Sequence, residues 1–319
     1  MPELSVNKNA LKLMKDLCDE AERYGVIARE TGLGTCIVDA GIEARGGFLA
    51  GKIVTEICLG GLGEATINPA RIGSLELPSI SVSTDHPAVS TLGSQLAGWQ
   101  VKVGDYSAVG SGPARALALK PKSIYAKIGY RDESDVAILV LETSKQPPKE
   151  ALGYISESCH VSPDKLFLIL VPTTSLTGFT QISGRIAETG IHKIVDLGFD
   201  PRLIMHAWGC APILPIHPDH VEAMGRTNDA ILYGGVAYYT VSNEDDRALK
   251  DLVDRSVSSA SEQYGRPFAE IYTEADFDFY KIDPSIFAPA VMTVNNVRTG
   301  RTFTAGRINA DVLTRSIAR

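Results

Sequence analysis

Apolar residues Ala10, Met14, Leu17, Ala21 and Tyr24 recur three or four positions apart and are followed by Gly25. This spacing predicts an amphipathic helix with a glycine stop. From Thr35 to about Asp85 the pattern changes to β-branched clusters broken by glycine: Cys36-Ile37-Val38, residues 52–58, and Ser79-Ile80-Ser81-Val82-Ser83. These predict strands. Pro87 suits a first helical turn, and Val89, Leu92, Leu96 and Trp99 resume helical spacing, although Gly93 and Gly98 weaken it. Residues 135–142 predict a strand, 148–158 a helix, 165–171 a strand, and 178 onward a helix again, the alternation of an α/β layer. Residues 219–239 and 243–264 predict helices, and 290–297 with 301–307 a hairpin about Arg298-Thr299-Gly300. The longest apolar runs, 136–141 and 166–172, are strand-sized and far too short to span a bilayer.

Length and composition add a domain count. With 319 residues, 44% hydrophobic and 22% charged, the chain has material for two compact units. Phe48-Leu49-Ala50-Gly51-Lys52-Ile53 echoes Phe303-Thr304-Ala305-Gly306-Arg307-Ile308, as though two similar β-segments served one sheet. On that basis residues 1–120 with 265–319 form one α+β domain and 121–264 a central α/β-type domain. The expected class is α+β, two domains with a substrate cleft between them.

Charge and cysteine usage exclude several functions. A balance of 31 basic against 38 acidic residues, net -7, provides no field to gather nucleic acid or an anionic membrane. The five cysteines are odd in number and contain no Cys-x-x-Cys pair, which argues against a disulfide framework and for a reducing cytoplasm. Charges at Lys8, Lys12, Lys15, Asp16, Asp19 and Glu20 interrupt any secretory apolar stretch, so no export is expected.

Several apparent motifs dissolve on inspection. Gly60-Gly61-Leu62-Gly63 lacks dinucleotide spacing and a Walker lysine and runs into strand-like Glu64-Ala65-Thr66-Ile67, so it reads as a tight turn. Gly110-Ser111-Gly112-Pro113 reads as a turn into a helix, not a nucleophile elbow. His206, Cys210, His217 and His220 are a zinc-ligand set by type, and a zinc-dependent hydrolase is one alternative. Pro212, Pro215 and Pro218 nevertheless keep them off one helix face. A different feature has better-placed chemistry. Arg185 and Glu188 stand one helical step apart, so guanidinium and carboxylate can reach a common point and activate water. A plain surface ion pair is the commoner outcome of such spacing.

Longer segments carry a resemblance. Thr177 through Gly190 (TGFTQISGRIAETG), Met205 through Ile213 (MHAWGCAPI) and Gly225-Arg226-Thr227-Asn228-Asp229-Ala230 resemble the methenyltetrahydromethanopterin cyclohydrolase family. Leu59 through Gly63, Gln95 through Trp99, Gly110 through Arg115 and Asn295-Asn296-Val297 extend the similarity over nearly the whole chain. The resemblance implies a cytoplasmic homotrimer of two-domain subunits active in one-carbon metabolism and methanogenesis. Its pterin substrate would occupy a largely preformed pocket between the domains. No bound cofactor or metal is implied, because tetrahydromethanopterin is itself the one-carbon carrier. The family's catalytic arginine and glutamate fall on Arg185 and Glu188, and its segment beside the reacting carbon falls on or close to Gly93, Ser94 and Gln95. Arg115 and Asn228 lie in matching motifs and are expected to serve polar parts of the substrate; otherwise they read as a surface ion pair and a helix cap. Tyr24, Trp99 and Trp208 can line a pterin pocket, although such aromatics more often serve the core.

The implied reaction is reversible hydrolysis of a methenyl bridge to a 5-formyl compound. Such a bridge between two nitrogens is amidinium-like and already electrophilic, so no Lewis acid is needed to polarise it. Glu188 then acts as general base toward water while Arg185 favours its ionised form and orients the water. A catalytically idle pterin-binding protein is the second alternative.

Overall fold

The computed structural model describes residues 4–319, which divide into two compact units: residues up to Glu64 with Ala88–Gln181, and Ala65–Pro87 with Ile182–Arg319. The chain order is α1 (Val6–Asp19), α2 (Ala21–Tyr24), β1 (Ile27–Glu30), β2 (Cys36–Asp39), α3 (Phe48–Cys58), β3 (Gly63–Ile72) and β4 (Leu75–Thr84). A π-helix (Ala88–Gln95) leads to β5 (Trp99–Val103), β6 (Tyr106–Ser111), α4 (Ala114–Ala118), α5 (Lys122–Ile128), β7 (Ala137–Glu142), α6 (Lys149–Cys159) and β8 (Leu166–Val171). There follow α7 (Leu176–Ser183), α8 (Ile186–Asp196), β9 (Ile204–Pro212), α9 (His220–Gly234), β10 (Val236–Val241) and α10 (Asp246–Asp254). The chain ends with α11 (Phe268–Glu274), β11 (Val291–Asn296), β12 (Thr302–Gly306) and α12 (Ala310–Ile317). Among the described residues no helix is long and apolar enough to cross a membrane.

The first unit is a six-stranded sheet in the order β1-β2-β8-β7-β6-β5, with β2, β8 and β7 parallel and the outer strands antiparallel. Both faces are covered. Leu139, Leu141, Leu168 and Leu170 pack with Leu117 of α4 and Ala151, Leu152 and Ile155 of α6. Ile138, Val140, Ile169 and Val171 point the other way, to Met14 and Leu17 of α1 and Ile53, Val54 and Ile57 of α3. This two-sided burial is why β7 and β8 are unbroken apolar runs. The helix expected to run to Gly25 is broken: α1 ends at Asp19, and it is the short α2 that stops at Gly25, left-handed at φ 66°.

The second unit holds a sheet in the order β12-β11-β10-β9-β4-β3. Helices α8 and α9 pack on one face. The opposite face is exposed: Ser83, Trp208, Tyr238, Thr293 and Thr304 stand directly opposite one another in one row across five strands. The rows on either side are Ser81, Cys210, Val236, Val291, Gly306 and His206, Thr240, Asn295, Thr302.

Five expectations need correcting. Residues 52–58 lie in α3, not a strand: Ala50, Ile53, Val54, Ile57 and Cys58 make a helical stripe, and core packing overrides their β-branched character. The echo between 48–53 and 303–308 is therefore chance, since one copy is helix and the other strand. The helix expected over 219–239 ends at Gly234, and 236–241 form β10 with alternating burial; that expected over 243–264 is only α10. The grouping of 1–120 with 265–319 also differs from the observed units. Parallel pairing of β11 with β10, and antiparallel pairing of β4 with β9, tie the C-terminal hairpin and residues 65–87 to the unit that begins at Ile182.

Candidate active site

Arg185 and Glu188 are placed by a break between two helices. α7 ends at Ser183, whose Oγ donates to the Pro212 carbonyl at 2.9 Å, and Arg185 caps α8 with φ -85° and ψ 2°. The Arg185 carbonyl accepts from both the backbone N–H and the hydroxyl of Thr189 (2.8 and 3.1 Å). Glu188 thus sits in the first turn of α8, where aligned peptide dipoles favour negative charge. Its Oε2 is 3.7 Å from Arg185 Nη1, and the two side chains are only 7% and 10% exposed. A solvated surface pair is therefore not what the fold builds.

That first turn is seated by two glycines and a tyrosine. Gly209 on β9 lets α8 approach so closely that a Cβ there would meet Ile186 Cγ2 at 2.8 Å and the Ala187 nitrogen at 3.1 Å. Tyr239 on β10 is fully buried and donates from Oη to the Ala187 carbonyl at 2.8 Å, one residue before Glu188. Burial, then the negative charge of Glu188, push the Tyr239 phenol well above its ordinary range. Gly190 has no side chain where that Oη lies; a Cβ would come within 2.1 Å of it. Reading 219–239 as one helix concealed Tyr239. The alternation of Ala237, Tyr239 and Val241 inward against Tyr238 outward was the signal for it.

In the first unit, Gly93, Ser94 and Gln95 end the π-helix, a rare local geometry that recurs at functional sites. Its carbonyls are taken from outside the helix. Arg115 is fully buried and donates from Nη1 to the carbonyls of Leu92 (3.2 Å) and Ser94 (3.0 Å) and from Nε to that of Lys120 (2.8 Å). Tyr125 Oη donates to the Gly93 carbonyl at 2.8 Å, and Ser94 Oγ to the Cys58 carbonyl at 2.6 Å. Gly93 leaves room for Ile128, whose Cδ1 would be 3.1 Å from an added Cβ. Arg115 is thus a brace for the segment rather than a surface ion pair, and its π-helix partners, the Leu92 and Ser94 carbonyls, are far off in sequence and gave no local signal. Gln181, within the longest matched motif, is 2% exposed, and its side-chain oxygen has no partner among the described residues.

Other expected residues fall elsewhere. Asn228 is half-buried inside α9, bonded from Nδ2 to the Met224 carbonyl at 2.9 Å, and caps nothing. Trp99 is a core residue, edge-on to Tyr154 at 6.1 Å, and Tyr24 is tied to Asp16. Trp208 is 40% exposed on the open sheet face. His206 and Cys210 flank it four residues apart on β9. At strand rise that is ~13 Å, too far for one ion whose ligand atoms must each lie about 2.0 to 2.3 Å from it. His206 instead pairs with Asp85 at 2.9 Å, His217 Nδ1 accepts from the Asp219 N–H at 3.1 Å, and His220 opens α9. The four do not assemble the zinc site their types suggested.

Comparison with known proteins matches these features to a family. The family model described as Cyclohydrolase (MCH) matches residues 5–317. A methenyltetrahydromethanopterin cyclohydrolase of Methanothermobacter marburgensis is 45% identical over 316 residues, covering 98% of this chain and 99% of its own. One of Methanocaldococcus jannaschii is 44% identical over 317 residues, and one of Methanospirillum hungatei 45% over 313, each covering 98% of both chains. With a match that starts before α1 and reaches the last residue of α12, this chain belongs to the MCH cyclohydrolase family.

Proposed function

We propose that the protein catalyses reversible hydrolysis of 5,10-methenyltetrahydromethanopterin to 5-formyltetrahydromethanopterin, with Glu188 as general base and Arg185 as the residue that orients water. The observation that carries this reading is the buried Arg185–Glu188 pair held at 3.7 Å in the first turn of α8. A direct charge-assisted bond measures about 2.7 to 2.9 Å, so at the longer distance Glu188 keeps lone pairs for a water that Arg185 also contacts.

Water attacks the cationic methenyl carbon as Glu188 takes its proton, giving a neutral carbinolamine. Glu188 returns that proton to the departing nitrogen as the carbon–nitrogen bond breaks. The hydroxyl proton leaves to solvent and the carbon remains on the other nitrogen as formyl. Arg185 donates toward the oxygen throughout, while the cationic substrate supplies the electrophile. Gly93, Ser94 and Gln95 face the reacting carbon, Arg115 acts through them, and Asn228 serves polar parts of the pterin; the Gln181 oxygen accepts from a pterin N–H.

The subunits assemble as a homotrimer through the open face of the second sheet. Among the described residues its three rows hold no Asp, Glu, Lys or Arg, and their His206 pairs with Asp85, so copies of a chain of net charge -7 meet there with little repulsion.

The test is Glu188→Gln, which keeps the side-chain shape but cannot take the proton. Pterin binding should persist while turnover, followed by loss of the methenyl near-ultraviolet absorbance, falls ~10²- to 10⁴-fold. Near-normal turnover refutes the role of Glu188. Absence of any absorbance change with the unmodified protein would make it a pterin-binding protein instead.

A further inference from the structure

We propose that Cys18 and Cys36 form a thiol–disulfide exchange site, at which a small neutral or cationic disulfide oxidises the pair to a Cys18–Cys36 disulfide joining the end of α1 to the start of β2. The two sulfurs are in contact, Sγ to Sγ 3.5 Å, and both residues are half-buried, so a small reagent reaches them. A disulfide needs about 2.05 Å. Closing the difference is a local movement, because Cys18 lies in the last turn of α1 and Cys36 is the first residue of β2.

The chemistry separates the two thiols. Cys36 is held below the ordinary thiol range by its hydrogen bond with Cys18, against the opposing effects of burial and Glu30. Cys18 is pushed well up by that same bond, then by burial, so it keeps its proton. Cys36 is thus the attacking thiolate and Cys18 the resolving thiol. The Cys36 thiolate attacks RS–SR, forms a mixed disulfide and expels RS⁻. With the Cys36 charge consumed, Cys18 loses its proton to RS⁻, attacks Cys36 Sγ and expels the second thiolate, which takes a proton from solvent. Two cysteine thiols and one disulfide become one protein disulfide and two RSH.

Elsewhere the pattern is not repeated. Burial pushes the Cys159 thiol up to about 12, Cys58 is buried against Ser111, and Cys210 stands on the open face of the second sheet. The surroundings also choose the reagent. Glu30 stands opposite Cys36 in the β1–β2 ladder and Asp19 adjoins Cys18, so an anionic disulfide is repelled. In a reducing compartment such a pair is a reversible redox site rather than a structural crosslink.

The experiment treats the full chain with cystamine, and separately with glutathione disulfide, followed by non-reducing peptide mapping. Cystamine should yield a Cys18–Cys36 linked peptide and do so several-fold faster than the anionic reagent, with the gap narrowing as salt rises. Cys18→Ser should trap cysteamine on Cys36, and Cys36→Ser should leave Cys18 unmodified. A mixed disulfide that persists on Cys36 of the unmodified protein while Cys18 stays free, or reaction confined to Cys210, overturns the proposal. Because the unmodified protein supplies the decisive map, it stands or falls even if a variant does not fold.

Discussion

Gly190→Ala should disable the protein through a single atom. The added Cβ would lie 2.1 Å from Tyr239 Oη and 3.1 Å from Pro289 Cγ. An ordinary carbon–oxygen contact is roughly 3.3 Å, so α8 must retreat by about 1 Å. Glu188 lies in the same helix half a turn away and moves with it. A displacement of that size costs ~10²-fold in turnover, equivalent to about 2.7 kcal/mol of barrier, while overpacking costs ~1 to 3 kcal/mol of stability. Tyr239→Phe removes the obstructing oxygen and one bond of 2.8 Å to the Ala187 carbonyl, worth about 1 kcal/mol, so alone it should lower turnover less than about tenfold. Together the two changes should recover most of what Gly190→Ala loses, because the nearest remaining ring atom, Cζ at 3.1 Å, can yield by a few tenths of an ångström. The assay is decay of methenyl absorbance at saturating substrate, with circular dichroism to confirm folding. If the double variant is as inactive as Gly190→Ala, the seating of α8 on Tyr239 is not what places Glu188.

Arg115→Lys cannot reach the carbonyls of Leu92, Ser94 and Lys120 at once, and each orphaned acceptor costs about 1 to 3 kcal/mol. Its KM should rise at least about tenfold with kcat less affected, and steady-state kinetics showing the reverse split would count against a brace for the π-helix. Asp229 is 0% exposed, and burial pushes its carboxyl up to about 7 from 3.8. The folded state then binds more protons than the unfolded one between those values, so this group's contribution to stability is lost as pH rises from 3.8 through 7, by about 4 kcal/mol in all. Asp229→Asn should accordingly flatten that fall in a pH series of denaturant melts; an unchanged slope refutes the assignment. Tyr238→Glu places a carboxylate in the middle of the open sheet face and should shift the assembly to monomers by light scattering, whereas an unaltered mass removes that face from the interface.

What the sequence disclosed depended on how many faces an element buries. β7 and β8 were legible because both sides are covered, and the β11–β12 hairpin because Arg298-Thr299-Gly300 turns between two β-rich runs. Helix α3 was not, since residues buried on most sides leave no polar stripe to mark the period. The π-helix was read as ordinary helix because apolar spacing barely distinguishes one extra residue per turn. At the site, the step from Arg185 to Glu188 was visible but its burial was not. The work of Arg115 was invisible too, because its acceptors at Leu92 and Ser94 lie more than twenty positions away.

Burial of the pair also argues against a structural purpose for it. At 3.7 Å and an effective dielectric constant near 20, the attraction between unit charges is about 4 kcal/mol, while removing each ion from water costs several. A pair kept to stabilise the fold would close to a direct bond or sit in solvent, where its cost is small. Here the chain breaks a helix at Gly184-Arg185, anchors Ser183 to Pro212, and omits side chains at Gly190 and Gly209, all to hold α8 in a position that leaves the ions apart. The gap is what a water-activating site requires, since a carboxylate locked onto its arginine has its proton-accepting lone pairs already engaged. That is the arrangement the proposed role needs: a carboxylate able to receive water beside a cationic carbon.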